Sequence, residues 1–227
     1  MRKATLAVIC AIGALSGVAS AQQVALGVLA GAPGVGLELT VGLTPGINIR
    51  AAGQGLPTFS RSATERDVSY DADLKVRSGM AAFDIGLTRS GAVSFSLGVA
   101  YVDITATAVS RGLAPIRING VTYAVPADGL LVGSAKTGNS IAPYGGFRFG
   151  NPVGAGSPLR LTFDLGVLYT GSPKIELGTA VPNDPRIPAS VRAQFYSDLE
   201  AERVREEDEI SKYKFIPVIQ LGLHFRF

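Results

Sequence analysis

The chain has 227 residues, a length that fits one domain. It carries 28 glycines, no Trp, one Cys and one His, with 17% charged and 47% hydrophobic residues and a mean hydropathy of +0.29. One Cys and one His exclude a zinc site of about four N/S ligands and an internal disulfide framework, and the hydropathy excludes disorder.

The N-terminus reads as an address. Met1-Arg2-Lys3 is a short basic head, Ala4 to Val18 is an apolar stretch, and Ala19-Ser20-Ala21 is an A-x-A site. This predicts a secretory signal over 1–21, cut between Ala21 and Gln22 with Ala19 as the second small residue. Cleavage removes Cys10, Arg2 and Lys3, leaving 19 basic against 18 acidic residues. The precursor pI of 9.1 is then no sign of nucleic-acid binding, and no nucleic-acid partner is expected. Beyond residue 21 no apolar run approaches the ~20 residues of a membrane helix. A chain this apolar and Gly-rich without such a helix points to a transmembrane β-barrel.

The rest of the chain alternates apolar and polar residues with the period of a strand. Val24 to Ala30 is the weakest such stretch. Val35, Leu37, Leu39, Val41 and Leu43 oppose Gly36, Glu38, Thr40 and Gly42; Ile47, Ile49 and Ala51 oppose Asn48, Arg50 and Ala52. Val68, Tyr70, Ala72, Leu74 and Val76 oppose Ser69, Asp71, Asp73, Lys75 and Arg77. The apolar set then changes phase at Phe83, Ile85 and Leu87, which predicts a bulge near Ser78-Gly79. Val93 to Tyr101 alternate, Ile141, Phe147 and Phe149 oppose Tyr144 and Arg148, Leu159 to Tyr169 alternate with Leu168 as the exception, and the pattern resumes at Ile175 and Leu177. In the last stretch every odd position from Tyr213 to Phe227 is apolar.

Connection lengths alternate as well. Thr44-Pro45, Arg89-Ser90-Gly91 and Asn151 to Ser157 are short and turn-rich, whereas 57–67, 110–139 and 179–211 are long. Short turns on one side and long loops on the other are the outer-membrane pattern, with the long loops outside the cell. The last strand follows a long loop and so runs inward. Counting back, Val24 to Ala30 completes eight antiparallel up-and-down strands, an even number as bacterial barrels require.

Alternation alone does not say which face is inside. An eight-stranded barrel leaves an interior just wide enough for side chains. Glycines, serines and a balanced charge set fit that space, while Phe95, Tyr101, Phe163, Tyr169, Phe215 and Phe225 fit lipid. An interior network of Glu38, Arg50, Asp71, Asp73, Lys75, Arg77, Arg148, Arg160 and Asp164 is therefore expected to plug the lumen, since buried charges need partners. The alternative places many of these charges at the rims, in water.

The terminal face Ile219, Leu221, Leu223, Phe225 and Phe227 resembles the C-terminal assembly signal of Gram-negative outer-membrane proteins. That resemblance implies recognition by the secretion and barrel-assembly machinery. The mature chain resembles the small OmpA-like and OmpW-like eight-stranded barrels. Tyr70-Asp71-Ala72-Asp73-Leu74-Lys75, Gly150-Asn151-Pro152-Val153-Gly154 and Tyr169-Thr170-Gly171-Ser172-Pro173-Lys174 are similar to an uncharacterised proteobacterial outer-membrane family. The resemblance implies the cell outer membrane as location, with outer-membrane lipid and lipopolysaccharide as surroundings, and it carries no activity.

In the last long loop, Val191, Phe195 and Leu199 recur at helical spacing, and an acidic and basic run follows to Glu209. A short amphipathic helix is expected, with Ser190 as a possible cap but no capping-box acid at Ala193. Glu206-Glu207-Asp208-Glu209 lacks the ligand spacing of a calcium loop. Asn119-Gly120 between Ile116-Arg117-Ile118 and Val121 to Val125 predicts a β-hairpin that extends the barrel wall.

Catalytic motifs are missing. The one His is His224, read as a polar filler near the periplasmic mouth, and no G-x-S-x-G elbow is present. Gly31-Ala32-Pro33-Gly34-Val35-Gly36 lacks the βαβ setting of a dinucleotide site. No enzyme activity, cofactor or metal is expected. The leading expectation is a structural or surface-interaction barrel, whose extracellular loop partner the sequence does not name. The alternative is a narrow channel or a carrier of small hydrophobic molecules, and a lipid-modifying enzyme is the remote one.

Overall fold

The computed structural model describes residues 23–65, 68–111, 116–123, 131–179 and 188–227. The signal-peptide expectation, with Ala19, Ala21 and Gln22, lies outside the described residues. In chain order the elements are β1 (Val24–Gly31), β2 (Gly34–Thr44), β3 (Ile47–Glu65), β4 (Val68–Gly86), β5 (Val93–Arg111), β6 (Ile116–Ile118) and β7 (Val121–Tyr123). They continue with β8 (Leu131–Lys136), β9 (Ile141–Phe149), β10 (Leu159–Tyr169), β11 (Lys174–Thr179), α1 (Ala189–Ile210) and β12 (Phe215–Arg226).

Eight of these strands close a ring. Strands β1 to β5 pair antiparallel in sequence, β5 pairs with β9, β9 with β10, β10 with β12, and β12 returns to β1. Closure satisfies the backbone on both sides of every ring strand, so no edge remains in the ring itself. At one end the connections are tight. Pro45-Gly46 turns β2 into β3, with Gly46 at φ 108, a conformation open to Gly without strain. We call this the turn end and the opposite one the loop end.

Side chains alternate about the wall. In β9, Ala142, Tyr144 and Arg148 are buried and Ile141, Phe147 and Phe149 are exposed. The outward set forms an apolar belt in which Leu161 is 72% and Leu221 61% exposed. Water-soluble monomers rarely show apolar patches beyond a few hundred Å². A belt around a closed antiparallel ring is the lipid-facing surface of a transmembrane barrel.

Above the belt the wall forks. β5 pairs with β9 along Val93–Tyr101 and then with β8 along Thr105–Val109, and β8 pairs with β11. Five strands (β3, β4, β5, β8 and β11) thus rise beyond the ring as a half-pipe. β1 and β2 stop at the two-residue Ala32-Pro33 turn, and β2 follows β3 only as far as Gly55. The span 57–65, expected as loop, is part of β3, a strand of 19 residues paired with β4.

The expected bulge at Ser78-Gly79 is corrected. β4 pairs with β5 without a break from Ser69 to Gly86. The register shift lies on β3, between Leu56 and Phe59, where Pro57 cannot donate to the ladder. The phase change in β4 therefore marks a change of surroundings, not of geometry.

The half-pipe is partly filled from within. α1 runs 22 residues, longer than the short helix expected, and starts after Pro188 with no side-chain cap, so Ser190 lies in its first turn. Its length follows from ion pairs one turn apart, Arg203 with Glu200 and Glu207, and Arg205 with Glu202. Phe195 and Leu199 pack with Ile118, Tyr123 and Leu177, whereas Val191 stays exposed. β6 and β7 form a separate two-stranded sheet through Asn119 (φ 49) and Gly120 (φ 79). This is the left-handed pair that an Asn-Gly turn favours. The hairpin lies against α1 and does not extend the wall.

Candidate functional site

The described lumen holds an ionic layer near the turn end and an apolar layer above it. Glu38 of β2, Arg50 of β3, Asp84 of β4, Arg148 of β9 and Asp164 of β10 converge on the axis, each fully or almost fully buried. Each sits at an inward position of its strand, so the layer is set by register alone.

Arg148 is the hub. Its Nη1 and Nη2 donate to Glu38 Oε1 and Oε2, both at 2.8 Å. Its Nε and Nη2 donate to Asp164 Oδ1 and Oδ2 at 2.7 and 2.9 Å. Such fork-to-fork pairs are the strongest hydrogen-bonded ion pairs in proteins. Arg50 Nη1 lies 3.2 Å from Glu38 Oε2 and 3.3 Å from Asp164 Oδ1, and its Nε lies 3.2 Å from Asp84 Oδ1. Neutral donors add to the shell, while Arg50 Nη2 and His224 Nδ1 have no hydrogen-bond partner among the described residues. Ser96 donates to Asp84 at 2.6 Å, Thr40 to Glu38 at 3.1 Å, and Gln220 to Asp164 at 3.1 Å. His224 Nε2 is 2.9 Å from Glu38 Oε1. β1 contributes space: a Cβ on Gly27 would stand 2.2 Å from the His224 ring.

The layer above is closed by Tyr144, whose ring centroid lies 5.6 Å from the Arg50 guanidinium carbon. It packs with Ala82, Ala100, Val102, Ala142, Leu168 and Val218. A Cβ on Gly166 would strike that ring at 2.6 Å, so the glycine lets it lie flat across the lumen. At the turn end Val153 is 4% exposed. Arg160 Nη2 donates to the Gly154 carbonyl at 3.0 Å, and Arg226 Nη2 to the Gly156 carbonyl at 3.2 Å, holding the 151–157 turn in place.

Of the nine charges expected inside, the structure brings together Glu38, Arg50, Arg148 and Asp164. Five lie elsewhere. Asp71, Asp73, Lys75 and Arg77 share the outward face of β4 with Phe83 and Ile85, because the strand runs straight. They stand on the outer face of the half-pipe, above the apolar belt. Ser60 donates to Asp73 at 2.5 Å and Ser62 to Asp71 at 2.8 Å. Arg160 serves the turn and not the layer.

Asp84, Gln220 and His224 were missed as members. Asp84 was legible: it is a lone acid between the outward Phe83 and Ile85, hence inward. His224 shares the inward period of Gln220, but nothing in the sequence places it beside Glu38. It is fully buried, and its place in the ionic layer is fixed by Glu38. Ile219, Leu221, Leu223, Phe225 and Phe227 are all exposed on the outward face, with the last two rings 5.4 Å apart.

A second polar cluster ties the hairpin to α1. Asp198 is 5% exposed and accepts from Asn119 Nδ2 at 3.1 Å, Gln194 Nε2 at 3.2 Å and the Tyr123 hydroxyl. The Asn119 backbone N–H donates to Glu202 at 2.9 Å. The Tyr123 hydroxyl and then the two amides hold the Asp198 carboxyl below its ordinary value. The same bond pushes the Tyr123 phenol up to about 12.

Together the closed ring, the apolar belt and the charged interior define an eight-stranded antiparallel transmembrane β-barrel. No protein-family model and no curated protein matches the chain. Among solved structures it is similar to CarO2 of Acinetobacter baumannii, with a TM-score of 0.58 at 24% identity, covering 90% of this chain and 98% of that one. It is likewise similar to CarO of the same organism, with a TM-score of 0.56 at 21% identity, covering 89% and 97%. At these identities the likeness is one of fold. It bears on the barrel and not on membership of the OmpA-like or OmpW-like families.

Proposed function

We propose that this chain is an integral outer-membrane protein whose barrel is closed to solutes and whose half-pipe, with α1 and the hairpin, is a surface-interaction module. One observation carries the reading: the lumen is filled by buried ion pairs in which Arg148 alone occupies two carboxylates. A conducting path needs water and mobile charge, and here the carboxylates of Glu38, Asp84 and Asp164 are held in place by Arg50 and Arg148. Secretion by a signal over 1–21, and assembly through the outward C-terminal face, belong to the same proposal. The buried position of His224 speaks against the lipid-modifying alternative, since a catalytic imidazole must reach its substrate.

The test is single-channel conductance of the refolded protein in a planar bilayer, with heat-modifiable gel migration as the check of folding. A folded but silent barrel is expected. Steady ion-conducting steps would overturn the closed lumen.

A second reading has its own observation. Leu56, Phe59 and Leu74 lie on the inner face of the half-pipe and are 40%, 68% and 39% exposed. This favours holding a small hydrophobic molecule at the mouth. Saturable binding of an apolar fluorescent probe, lost in Phe59→Ser, would support it; equal binding by both proteins would end it.

A further inference from the structure

We infer that the outer face of the β4–β5–β8–β11 wall, just above the apolar belt, is an anion-binding strip for the phosphate groups of outer-leaflet lipid. The inference rests on the outer-membrane reading above. Backbone register places Lys75 opposite Thr105, Thr105 opposite Lys136, and Lys136 opposite Lys174. The four form one row across four adjacent strands, on the outward face. With neighbouring strands about 4.8 Å apart, the row spans roughly 14 Å. Arg77 lies on the same face two residues closer to the belt. Among the described residues Lys75 and Arg77 have no ion pair, Lys174 acts on Glu176 from a distance, and Lys136 donates to Glu176 at 2.8 Å with its side chain still 46% exposed.

Two features separate this strip from scattered surface charge. The first is a conflict within the sheet. Lys136 and Lys174 are directly opposed, and like charges in a cross-strand pair destabilise it. Among the described residues Glu176 is the one acid that pairs with them, so the conflict is only partly relieved from within. Local rules of this kind are broken mainly at functional positions, where an outside group supplies the compensation.

The second is layering. The next row outward reads Asp73, Thr107, Ser134 and Glu176, and Asp71 follows. Basic residues therefore stand next to the belt and acidic ones beyond them. Asp103, opposite Arg77, is the exception, and it accepts from Thr105 Oγ1 at 3.3 Å. Tyr101, 50% exposed, is the last belt residue of β5. Thr105 follows four residues later, about 13 Å along the strand. That height matches the headgroup zone, and lysine stems are long enough to reach down into it. The chemistry recognised is a phosphate monoester, which a lysine meets as a point charge.

The test uses native mass spectrometry of the whole detergent-purified barrel. Three probes are titrated: lipid A with both phosphates, the same lipid dephosphorylated, and inorganic phosphate. The wild type is expected to retain the phosphorylated lipid. Lys75→Gln/Lys136→Gln/Lys174→Gln should bind it on the order of 100-fold more weakly, about fivefold for each lysine. The dephosphorylated lipid should bind both proteins alike. Equal retention of phosphorylated lipid by wild type and variant overturns the strip. So does equal retention of phosphorylated and dephosphorylated lipid by the wild type. Binding of inorganic phosphate as tightly as the lipid assigns the strip to a soluble anion and overturns the lipid assignment. Insertion into phospholipid vesicles, scored by heat-modifiable migration and protease protection, is read separately. A wild type that fails to insert defeats the membrane reading; one that inserts without phosphate preference defeats the strip alone.

Discussion

The barrel and the half-pipe are built from the same strands and carry opposite polarity. In β4 the barrel segment points Phe83 and Ile85 outward and Asp84 inward; the half-pipe segment points Lys75 and Arg77 outward and Leu74 and Val76 inward. β5 repeats the change, with Val99 and Tyr101 outward below and Thr105 and Thr107 outward above. The difference teaches that the wall has one geometry and two solvents. Against lipid the outer face must be apolar, and the charges inside must find one another. Against water the outer face is polar, and the apolar inner face has to be covered from within. In the barrel the ionic layer and Tyr144 fill the interior. In the half-pipe the inner face is covered on the β11 side by Phe195 and Leu199, while Leu56 and Phe59 stay exposed.

The sharpest way to break the comparison is to remove an arginine from each region. Arg148→Met leaves Glu38 and Asp164 buried without their main partner and should cost about 3–5 kcal/mol. Arg77→Met, on the water-facing wall, should stay within about 0.5 kcal/mol. Urea midpoints of the folded band, taken side by side, decide the matter. Similar losses in the two variants would mean that the ionic layer is not the structural centre of the barrel.

A smaller contrast comes from adding charge to the outer face. Phe163→Arg, in the belt, should cost about 2–4 kcal/mol in bilayers if it lies near the midplane. Thr105→Arg, farther up the same kind of face, should cost little. Folding yield into vesicles is the readout. A tolerated arginine at 163 would remove that strand face from lipid.

The smallest expected effect concerns pH and the half-pipe alone. Asp198 titrates below its ordinary value because Tyr123, Asn119 and Gln194 donate to it. A depressed carboxyl stabilises the fold above its unfolded pKa, near 4, and that contribution fades as pH falls through the folded value. Tyr123 acts in the opposite sense: its contribution is whole below the ordinary phenol value and fades as pH rises toward about 12. Protection of the 118–123 amides, measured against their intrinsic exchange rates at each pH, should therefore fall at both extremes while the barrel amides stay protected. Asp198→Asn should remove the acid limb. Barrel amides that loosen in step with the hairpin would show that the two regions are one cooperative unit.

Much of this architecture is legible in the chain, because a closed sheet writes its period into the sequence. The eight ring strands, their tight turns and the inward places of Glu38, Arg50, Arg148 and Asp164 follow from alternation and turn chemistry. The half-pipe does not, because alternation has no sign. Asp71, Asp73, Lys75 and Arg77 alternate as cleanly as any interior set, and only the unbroken β4–β5 ladder shows which side they face. Nor does the sequence indicate that β5 changes partner from β9 to β8, since that choice depends on where neighbouring strands end.

What the sequence determined by itself is the period-two pattern, the position of each tight turn, the count of eight and the helical run after Pro188. These are local properties, fixed by side-chain volume, backbone freedom and residue spacing. What only the tertiary structure decided is the meeting of side chains across the lumen. Glu38 and His224 are 186 positions apart in the chain and 2.9 Å apart in space. That contact follows from β12 pairing with β1 and β1 with β2, a closure whose register is a property of the whole ring. The reversal of polarity above the belt is decided in the same way, by the surroundings that the closed and open parts of the wall each meet.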